Sequence, residues 1–135
     1  MPRFLLGTNI LSDFVRNPEG LVASRVDVLT AGESVCTSII VAAELRYGAI
    51  KKNSLTLSKR IEELLQVIEV LPLAPDADRY YGDIRLRLER SGTPIGANDM
   101  LIAAHALAAD CILVTDNEKE FLRISGLTVQ NWLRS

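Results

Sequence analysis

The sequence predicts an α/β fold, a three-layer sandwich in which helices cover both faces of a mostly parallel sheet of four to five strands. Short apolar runs alternate along the chain with longer segments of helical periodicity. The runs are continuously apolar rather than alternating, which is typical of strands buried on both faces of a parallel sheet. The length of 135 residues is that of one ordinary domain, so we expect residues 1–135 to form a single domain.

The composition restricts the class of function. Fifteen Lys and Arg against 17 Asp and Glu give a formal net charge of −2, which argues against a protein that coats DNA by neutralising many phosphates. A nuclease stays open, since a metal ion can supply local positive charge. Without a signal peptide or an apolar run of membrane-spanning length, we expect a cytoplasmic protein with no membrane partner. Cys36 and Cys111 stand in apolar runs, which indicates core thiols rather than a disulfide or metal ligands.

Apolar periodicity places the elements along the chain. Strands are expected at residues 3–6, 34–37, 69–71, 111–115 and 127–130. Helices are expected at 10–15 and 21–30, over the apolar positions of 40–50 and 57–68, from Asp76 or Asp78 to Leu88, and from Asn98 onward. Thr37 or Ser38 can cap the third helix, and Asn98 is a good N-cap for the helix that continues from Met100. That helix is apolar and rich in Ala, so it should be buried on nearly all sides.

The last part of the chain carries two further predictions. Asn117 and Glu120 have the spacing of a capping box for a short helix. Trp132 is expected to anchor the C-terminal segment against the core.

Four positions fall where a parallel sheet would bring them together. Gly7 follows the first strand, and Asp116 follows the strand at 111–115. Asp99 stands in the first turn of the helix leading into that strand, and Glu44 lies about a turn and a half into the helix after the second strand. Sites of such sheets form beyond the carboxyl ends of the strands. Carboxylates clustered there without His or Cys partners indicate a hard cation, Mg²⁺ or Mn²⁺, and phosphoryl chemistry.

Simpler explanations exist for these and other polar residues. Asp99 can compensate the helix dipole, which is worth a few tenths of a kcal/mol to about one. Glu44 can pair with Arg46 or another basic side chain, although no neighbour at helical spacing is a cation. His105 lies about 120° around the helix from Asp99, which favours a packing or hydrogen-bonding role over catalysis. The arginines of the fifth helix are either a solvated face or phosphate contacts: Arg79, Arg85, Arg87 and Arg90.

Four motifs carry a resemblance that covers essentially the whole chain. They are Phe-Leu-Leu-Gly-Thr-Asn at 4–9, Ala-Glu-Leu at 43–45 with Tyr-Gly-Ala at 47–49, Gly-Thr-Pro-Ile-Gly-Ala-Asn-Asp at 92–99 with Ile-Ala-Ala-His-Ala at 102–106, and Leu-Val-Thr-Asp-Asn at 113–117 with Glu-Phe at 120–121. On these residues the chain resembles the PIN-domain family, and within it the VapC-type toxin ribonucleases. The resemblance implies a Mg²⁺- or Mn²⁺-dependent endoribonuclease that hydrolyses RNA phosphodiester bonds, is inhibited by a cognate antitoxin, and commonly forms homodimers.

The resemblance also implies roles for individual residues. Glu44, Asp99 and Asp116 take the places of family acids that bind metal and act in catalysis. Thr8 would orient the acid that follows the first strand, while Asn117 and Glu120 are auxiliary residues.

The departure from the family pattern is at position 7, where the family motif reads Asp-Thr-Asn and this chain reads Gly-Thr-Asn. Gly7 offers no group to bind a metal or orient water. We therefore expect a copy that is inactive or strongly impaired, since one catalytic contact can be worth about a hundredfold. Such a copy is either a natural pseudo-nuclease or a detoxified form, and the three remaining acids favour the second.

Two other functions compete with the nuclease. A non-catalytic module of the same fold would sequester antitoxin or RNA without cutting. A phospho-acceptor or nucleotide-binding domain is disfavoured, because no glycine-rich phosphate loop follows the first strand.

Overall fold

The computed structural model describes residues 2–134 and confirms the α/β prediction. Within these residues, five parallel strands form one sheet that helices flank. The strands are β1 (Arg3–Leu6), β2 (Ser34–Ser38), β3 (Glu69–Leu71), β4 (Ile112–Val114) and β5 (Val129–Gln130). The helices are α1 (Thr8–Arg16), α2 (Leu21–Asp27), α3 (Ile39–Lys51), α4 (Leu55–Val67), α5 (Ala77–Arg90), α6 (Ala97–Ala108) and α7 (Glu118–Phe121). None of the helices in this part of the chain is long and apolar enough to cross a membrane.

The strand order β3-β2-β1-β4-β5 places β1 at the centre of the sheet. The chain builds outward from β1 through β2 and β3, then returns to the other side of β1 with β4 and β5. Because every pairing is parallel, the carboxyl ends of all five strands lie at one edge. The direction of building reverses between β1 and β4, and open α/β sheets bind ligands in the crevice at such a reversal. The topology therefore places the residues after β1 and β4 at the site.

The core is built around β1 and α6. Phe4, Leu5 and Leu6 are at most 3% exposed, since β1 has neighbours on both sides and helices against the sheet. Six residues of α6 are buried, which confirms that this helix is enclosed on most sides. Trp132 is 3% exposed and its ring lies 5.2 Å from that of Phe4, which confirms it as the anchor of the C-terminal segment.

Both cysteines are free thiols in the core, as the sequence predicts. Cys36 and Cys111 are buried, and their sulfur atoms lie 3.9 Å apart. That distance is a contact between two thiols and about twice the length of a disulfide bond.

Two predicted helix ends are wrong. Helix α6 begins at Ala97 with Gly96 as its N-cap, so Asn98 lies inside the first turn and its amide is free to bond elsewhere. Helix α2 ends at Asp27 rather than residue 30. The reason lies in Thr30, whose N–H and hydroxyl both donate to the Glu33 carboxylate at 2.8 Å. A side-chain acceptor of this kind offers the backbone a turn in place of the helix.

Other capping predictions are resolved by individual hydrogen bonds. Ser38 rather than Thr37 caps α3, since its Oγ accepts from the Ile40 N–H at 3.1 Å, while the Thr37 hydroxyl donates to the Leu6 carbonyl at 2.7 Å. Asp76 is the N-cap residue of α5, but its side chain makes no cap hydrogen bond.

The capping box at α7 is wrong. The Asn117 amide donates directly to the Glu120 carboxylate at 2.9 Å, and the Asn117 N–H donates to the Thr115 hydroxyl at 3.0 Å. The two side chains therefore bond each other instead of the helix backbone.

The apolar face predicted for α3 is interrupted at its C-terminal end. Ile50 is 74% exposed, and Tyr47 is 64% exposed. The residues of α3 that do enter the core are Val41, Ala42, Leu45 and Ala49.

Candidate active site

A cavity of about 190 Å³ opens at the carboxyl edge of the sheet, at the reversal between β1 and β4. Four parts of the chain contribute to it: the start of α1 with its N-cap through Gly7, Thr8 and Asn9, α3 through Glu44, α6 through Asp99 and Ile102, and the segment from β4 to α7 through Asp116, Asn117 and Phe121. The structure thus brings together the three acids that the sequence singled out. Within residues 2–134, no Lys or Arg lines this cavity, which we call the acid cavity.

Position 7 does not need glycine for its backbone conformation. Gly7 is buried, its φ of −78° and ψ of 176° are ordinary extended values, and its N–H donates to the Val114 carbonyl at 2.9 Å. A Cβ built at this position would lie 3.1 Å from the Val114 carbonyl oxygen. An aspartate there would require that carbonyl to move by a few tenths of an ångström. An aspartate at this position therefore needs no unusual backbone conformation, and its fit depends on whether the Val114 carbonyl can move by that amount.

Glu44 is half-buried and is held by two neutral donors. The Thr8 hydroxyl donates to Glu44 Oε1 at 2.5 Å, and the Asn98 amide donates to Oε2 at 3.4 Å. The ion pair with Arg46 is wrong, because the Arg46 guanidinium donates to Glu62 from two nitrogens at 2.9 Å. The family resemblance implies that Thr8 orients an acid after β1. With Gly7 there, the hydroxyl bonds the carboxylate of α3 instead.

Asp116 is held by a residue that sequence reasoning missed. The Asn9 amide donates to Asp116 Oδ1 at 3.1 Å, across 107 residues of sequence. A signal was available, because Asn9 stands beside Thr8 in the same motif at the carboxyl end of β1. Glu120 is likewise bonded to an amide, that of Asn117.

Asp99 carries the clearest electrostatic signature of the cavity. Burial raises its pKa above the usual 3.8, and the carboxylates of Glu44 and Glu120 raise it further by repulsion. Its place in the first turn of α6 acts in the opposite direction, because a helix N-terminus stabilises negative charge. Burial and the repulsion by these two carboxylates together raise the pKa of Asp99. Asp99 therefore lies in a field with an excess of negative charge.

The cavity has the donor chemistry of a metal site but lacks the number of ligands. Carboxylate oxygens are what hard divalent cations prefer. Yet within residues 2–134, no three His, Cys, Asp or Glu side chains are grouped so that they could hold one ion. Glu44, Asp99 and Asp116 line one cavity without forming such a group. The described residues therefore do not complete a metal site.

His105 lies outside the acid cavity. It is fully buried, and its Nδ1 lies 2.7 Å from the Ser38 hydroxyl oxygen, in agreement with the predicted hydrogen-bonding role. Burial lowers its pKa below 6.5, and the nearby Pro72 carbonyl opposes that shift only in part.

The fold and the acid cavity define a class of protein. Comparison with known proteins identifies its family. The sequence profile of the PIN domain matches residues 4–127, and the chain therefore belongs to the PIN-domain family.

Its relatives within the family are VapC ribonucleases. The chain is 35% identical over 130 residues to ribonuclease VapC2 of Rickettsia felis, covering 96% of this chain and 97% of that protein. It is 36% identical over 133 residues to the tRNA(fMet)-specific endonuclease VapC of Shigella flexneri, covering 98% and 99%. The crystal structure of VapBC2 from R. felis, bound to a DNA fragment from its promoter, contains a chain that matches with a TM-score of 0.89 over 96% of this chain and 98% of that chain.

Proposed function

We propose that this chain is the toxin of a toxin–antitoxin pair, built as a metal-dependent endoribonuclease that hydrolyses RNA phosphodiester bonds in the cytoplasm. Its catalytic activity is absent or strongly reduced because Gly7 replaces the first acid. The observation that carries this proposal is the place of Gly7. It lies at the end of the central strand, in the wall of the acid cavity, in a conformation that any residue adopts.

The roles proposed for the other residues follow from their contacts. Glu44, Asp99 and Asp116 are the remaining catalytic and metal-binding acids, with Thr8, Asn117 and Glu120 as auxiliary residues. Thr8 and Asn98 hold Glu44, and Asn9 holds Asp116. Because hydroxyl and amide donors are neutral, they fix the carboxylates without cancelling their charge. That is what a cation-binding wall requires.

Mg²⁺ or Mn²⁺ is the cofactor we propose for the complete site. A divalent ion held by carboxylates activates a water and stabilises the leaving oxygen in phosphodiester hydrolysis. Nucleases of the PIN family generally use a divalent metal.

The partner we propose is a cognate antitoxin. A second cavity of about 190 Å³ lies between α1, α3 and α4, with apolar walls that include Val15, Leu45 and Ile61. It shares Thr8 and Glu44 with the acid cavity. An apolar antitoxin segment placed here could reach Glu44 with an Arg or Lys side chain. The relatives in solved VapBC complexes support this partner. Co-expression with candidate antitoxins, small proteins encoded by neighbouring genes, should yield a stable complex, and a chain that never retains any of them argues against the toxin.

A homodimer is proposed as the working assembly. The exposed apolar side chains of α3, Ile39, Tyr47 and Ile50, support self-association. Light scattering of the purified chain measures its molar mass in solution. A monomer at high concentration would contradict the homodimer.

Restoring the acid tests the nuclease proposal. Gly7→Asp should bind Mn²⁺ in calorimetry and cleave RNA, with activity at least about a hundredfold above that of the parent. Gly7→Asn is the matched control: it has the same size and nearly the same shape without the charge, so it should do neither. If Gly7→Asp leaves metal binding, RNA cleavage and growth of the expressing cells unchanged, the nuclease assignment of this cavity is wrong.

A non-catalytic binding module is the second candidate. The observation in its favour is the incomplete ligand set of the described residues. It predicts that the parent chain relieves inhibition of an active relative by withdrawing its antitoxin, without any RNA cleavage of its own.

A further inference from the structure

The acid cavity cannot by itself attract RNA. Its walls carry Glu44, Asp99 and Asp116, and no Lys or Arg of residues 2–134 lines it. Phosphate binding by proteins depends mainly on Lys and Arg that displace counterions. In the absence of a bound cation, RNA affinity of this chain must therefore come from a surface outside the acid cavity.

A larger cleft, of about 630 Å³, lies between α5 and the turn at residues 123–126. Three arginines line it, Arg87, Arg90 and Arg123, together with one acid, Asp83. The charged groups of the lining sum to +2, in a chain whose formal net charge is −2. We call this the arginine cleft.

Two of the three guanidinium groups are available to a ligand. Arg87 pairs with Asp83 through Nε at 2.9 Å. Arg90 and Arg123 are exposed and form no ion pair with any residue from 2 to 134. The helix dipole explains the position of two of these arginines, because Arg87 and Arg90 occupy the last turn of α5, where cations are favoured. It does not account for Arg123, which comes from a separate turn and lines the same cleft.

The cleft also offers surfaces for bases. The Tyr80 side chain is 41% exposed at its rim, and Ile84, Leu88 and Ile124 contribute apolar walls. Arginines beside an aromatic ring and apolar walls are the combination that binds single-stranded nucleic acid, with the backbone on the cations and the bases stacked.

The arginine cleft and the acid cavity are neighbours. Asn117 and Phe121 line the acid cavity, and Arg123 and Ile124 line the cleft. Only one residue separates Phe121 from Arg123, so α7 and the turn after it form a wall between the two. At the other end, the Thr93 N–H donates to the Leu88 carbonyl at 3.0 Å, which ties the end of α5 to the loop leading into α6 and Asp99.

We infer that the arginine cleft is the surface that holds the RNA substrate, with single-stranded RNA running from the cleft over α7 to the acid cavity. The inference rests on the proposed nuclease function, whose substrate-binding surface it names. RNA phosphates contact Arg90 and Arg123, and a base stacks on Tyr80. Because none of these groups belongs to the acid cavity, the surface is intact in the parent chain despite Gly7.

The test is binding of a short fluorescein-labelled single-stranded RNA to the parent chain in metal-free buffer, measured by anisotropy over a range of salt concentrations. Arg90→Ala with Arg123→Ala should weaken binding by roughly tenfold or more, and should lower the slope of log K against log salt by about 1.4, or about 0.7 per phosphate contact. Lys59→Ala with Arg60→Ala is the matched control, since both are exposed on α4, away from the cleft, and the loss of charge is the same. That control should change the affinity by less than about twofold.

Three results would overturn the inference. One is equal weakening by both double variants, which would mean that only net charge matters. Another is no RNA binding at all by the parent chain. The third is binding of a polyglutamate peptide, but not of RNA, at the cleft, which would assign the surface to an acidic protein.

The proposed function is tested separately by putting the same substitutions into Gly7→Asp. If RNA cleavage survives both arginine substitutions, the nuclease function is supported and the RNA-binding role of the arginine cleft is rejected. If the Gly7→Asp chain binds RNA through these arginines but does not cleave it, the arginine cleft is supported and the nuclease function is not.

Discussion

Each of three carboxylates at this sheet edge is bonded to the amide of an asparagine rather than to a cation. Asn98 donates to Glu44, Asn9 to Asp116 and Asn117 to Glu120. A Lys or Arg in these places would neutralise the charge and compete with a metal ion, whereas an amide only fixes the orientation. At the scale of single residues, the site keeps its negative charge and gives up some of the stability that ion pairs could provide.

The amide pairs could not be predicted from the sequence, although the acids could. Strand ends and helix starts place Glu44, Asp99 and Asp116 at one edge of any parallel sheet with this element order. The partners depend on tertiary packing, since Asn98 and Glu44 are 54 residues apart. Propensity favoured Asn98 as an N-cap, but Gly96 begins the helix two residues earlier and turns the Asn98 amide toward α3.

The buried His105 gives the protein a defined pH dependence. Burial lowers its pKa below 6.5 in the folded state, so the unfolded chain takes up a proton that the folded chain refuses. The contribution of His105 to the free energy of unfolding is therefore complete above about pH 6.5 and is lost as the pH falls below it. Urea unfolding at pH 7.5, 6.5 and 5.5 should show the parent losing stability toward pH 5.5, and His105→Gln should lack this loss.

Comparison with His105→Gln is needed because Asp99 changes the free energy of unfolding with pH in the opposite direction. Its raised pKa means that the folded chain keeps a proton to higher pH, so its penalty on stability diminishes as the pH falls toward 3.8. Both proteins contain Asp99, so the difference between them reports His105. Parallel pH profiles would mean that the pKa of His105 is the same in the folded and unfolded states, and would contradict this prediction.

At the scale of elements, the start of α3 joins helix capping to the buried histidine. Ser38 accepts from the Ile40 N–H at 3.1 Å, and its hydroxyl oxygen lies 2.7 Å from His105 Nδ1. One hydroxyl therefore serves both the N-terminus of α3 and the side chain from α6. This contact fixes α3, which carries Glu44, relative to α6, which carries Asp99.

Removing that hydroxyl should cost more than an ordinary cap. Ser38→Ala loses a cap, worth about 1 kcal/mol, and leaves a buried His105 nitrogen without its partner, for about 1–3 kcal/mol more. We expect a total of roughly 2–4 kcal/mol in the free energy of unfolding from urea titrations. Ser54→Ala is the control, because Ser54 caps α4 through the Leu57 N–H at 3.1 Å and should cost only about 1 kcal/mol. Equal costs for the two substitutions would contradict the shared role of Ser38.

Apolar runs and periodicity predicted the five strands and helices α1 to α6, and local chemistry moved the ends. The apolar runs gave five strands in the right places because buried parallel strands have few other sequence patterns. Helix α2 ends early because Thr30 and Glu33 bond each other. The free energy that favours such a turn over one more helical turn is about that of a single hydrogen bond. A periodicity averaged over many residues does not detect so small a difference.

At position 7, the stability of the fold favours glycine, whereas the proposed metal site favours aspartate. In metal-free buffer the parent chain should be at least as stable as Gly7→Asp. An aspartate there would add a carboxylate to a cavity already lined by Glu44, Asp99 and Asp116, and its Cβ would press on the Val114 carbonyl at 3.1 Å. Glycine avoids both the added repulsion and the steric contact, whereas the proposed metal site requires the carboxylate.

Divalent metal should reverse that order of stability. A ligand that binds only the folded state adds about 2.7 kcal/mol when present at a hundred times its Kd. For a domain of this size that corresponds to a rise of roughly 5–15 °C in Tm. Calorimetric melts of Gly7→Asp should therefore shift upward with Mn²⁺ and return with EDTA, while the parent chain stays unchanged. Gly82→Asp is the control, since it makes the same chemical change at an exposed position of α5 with open space around the added carbon, and its Tm should not respond to Mn²⁺. An equal response of all three proteins would place any metal outside the acid cavity, and no response in Gly7→Asp would mean that a fourth carboxylate is not what the site lacks.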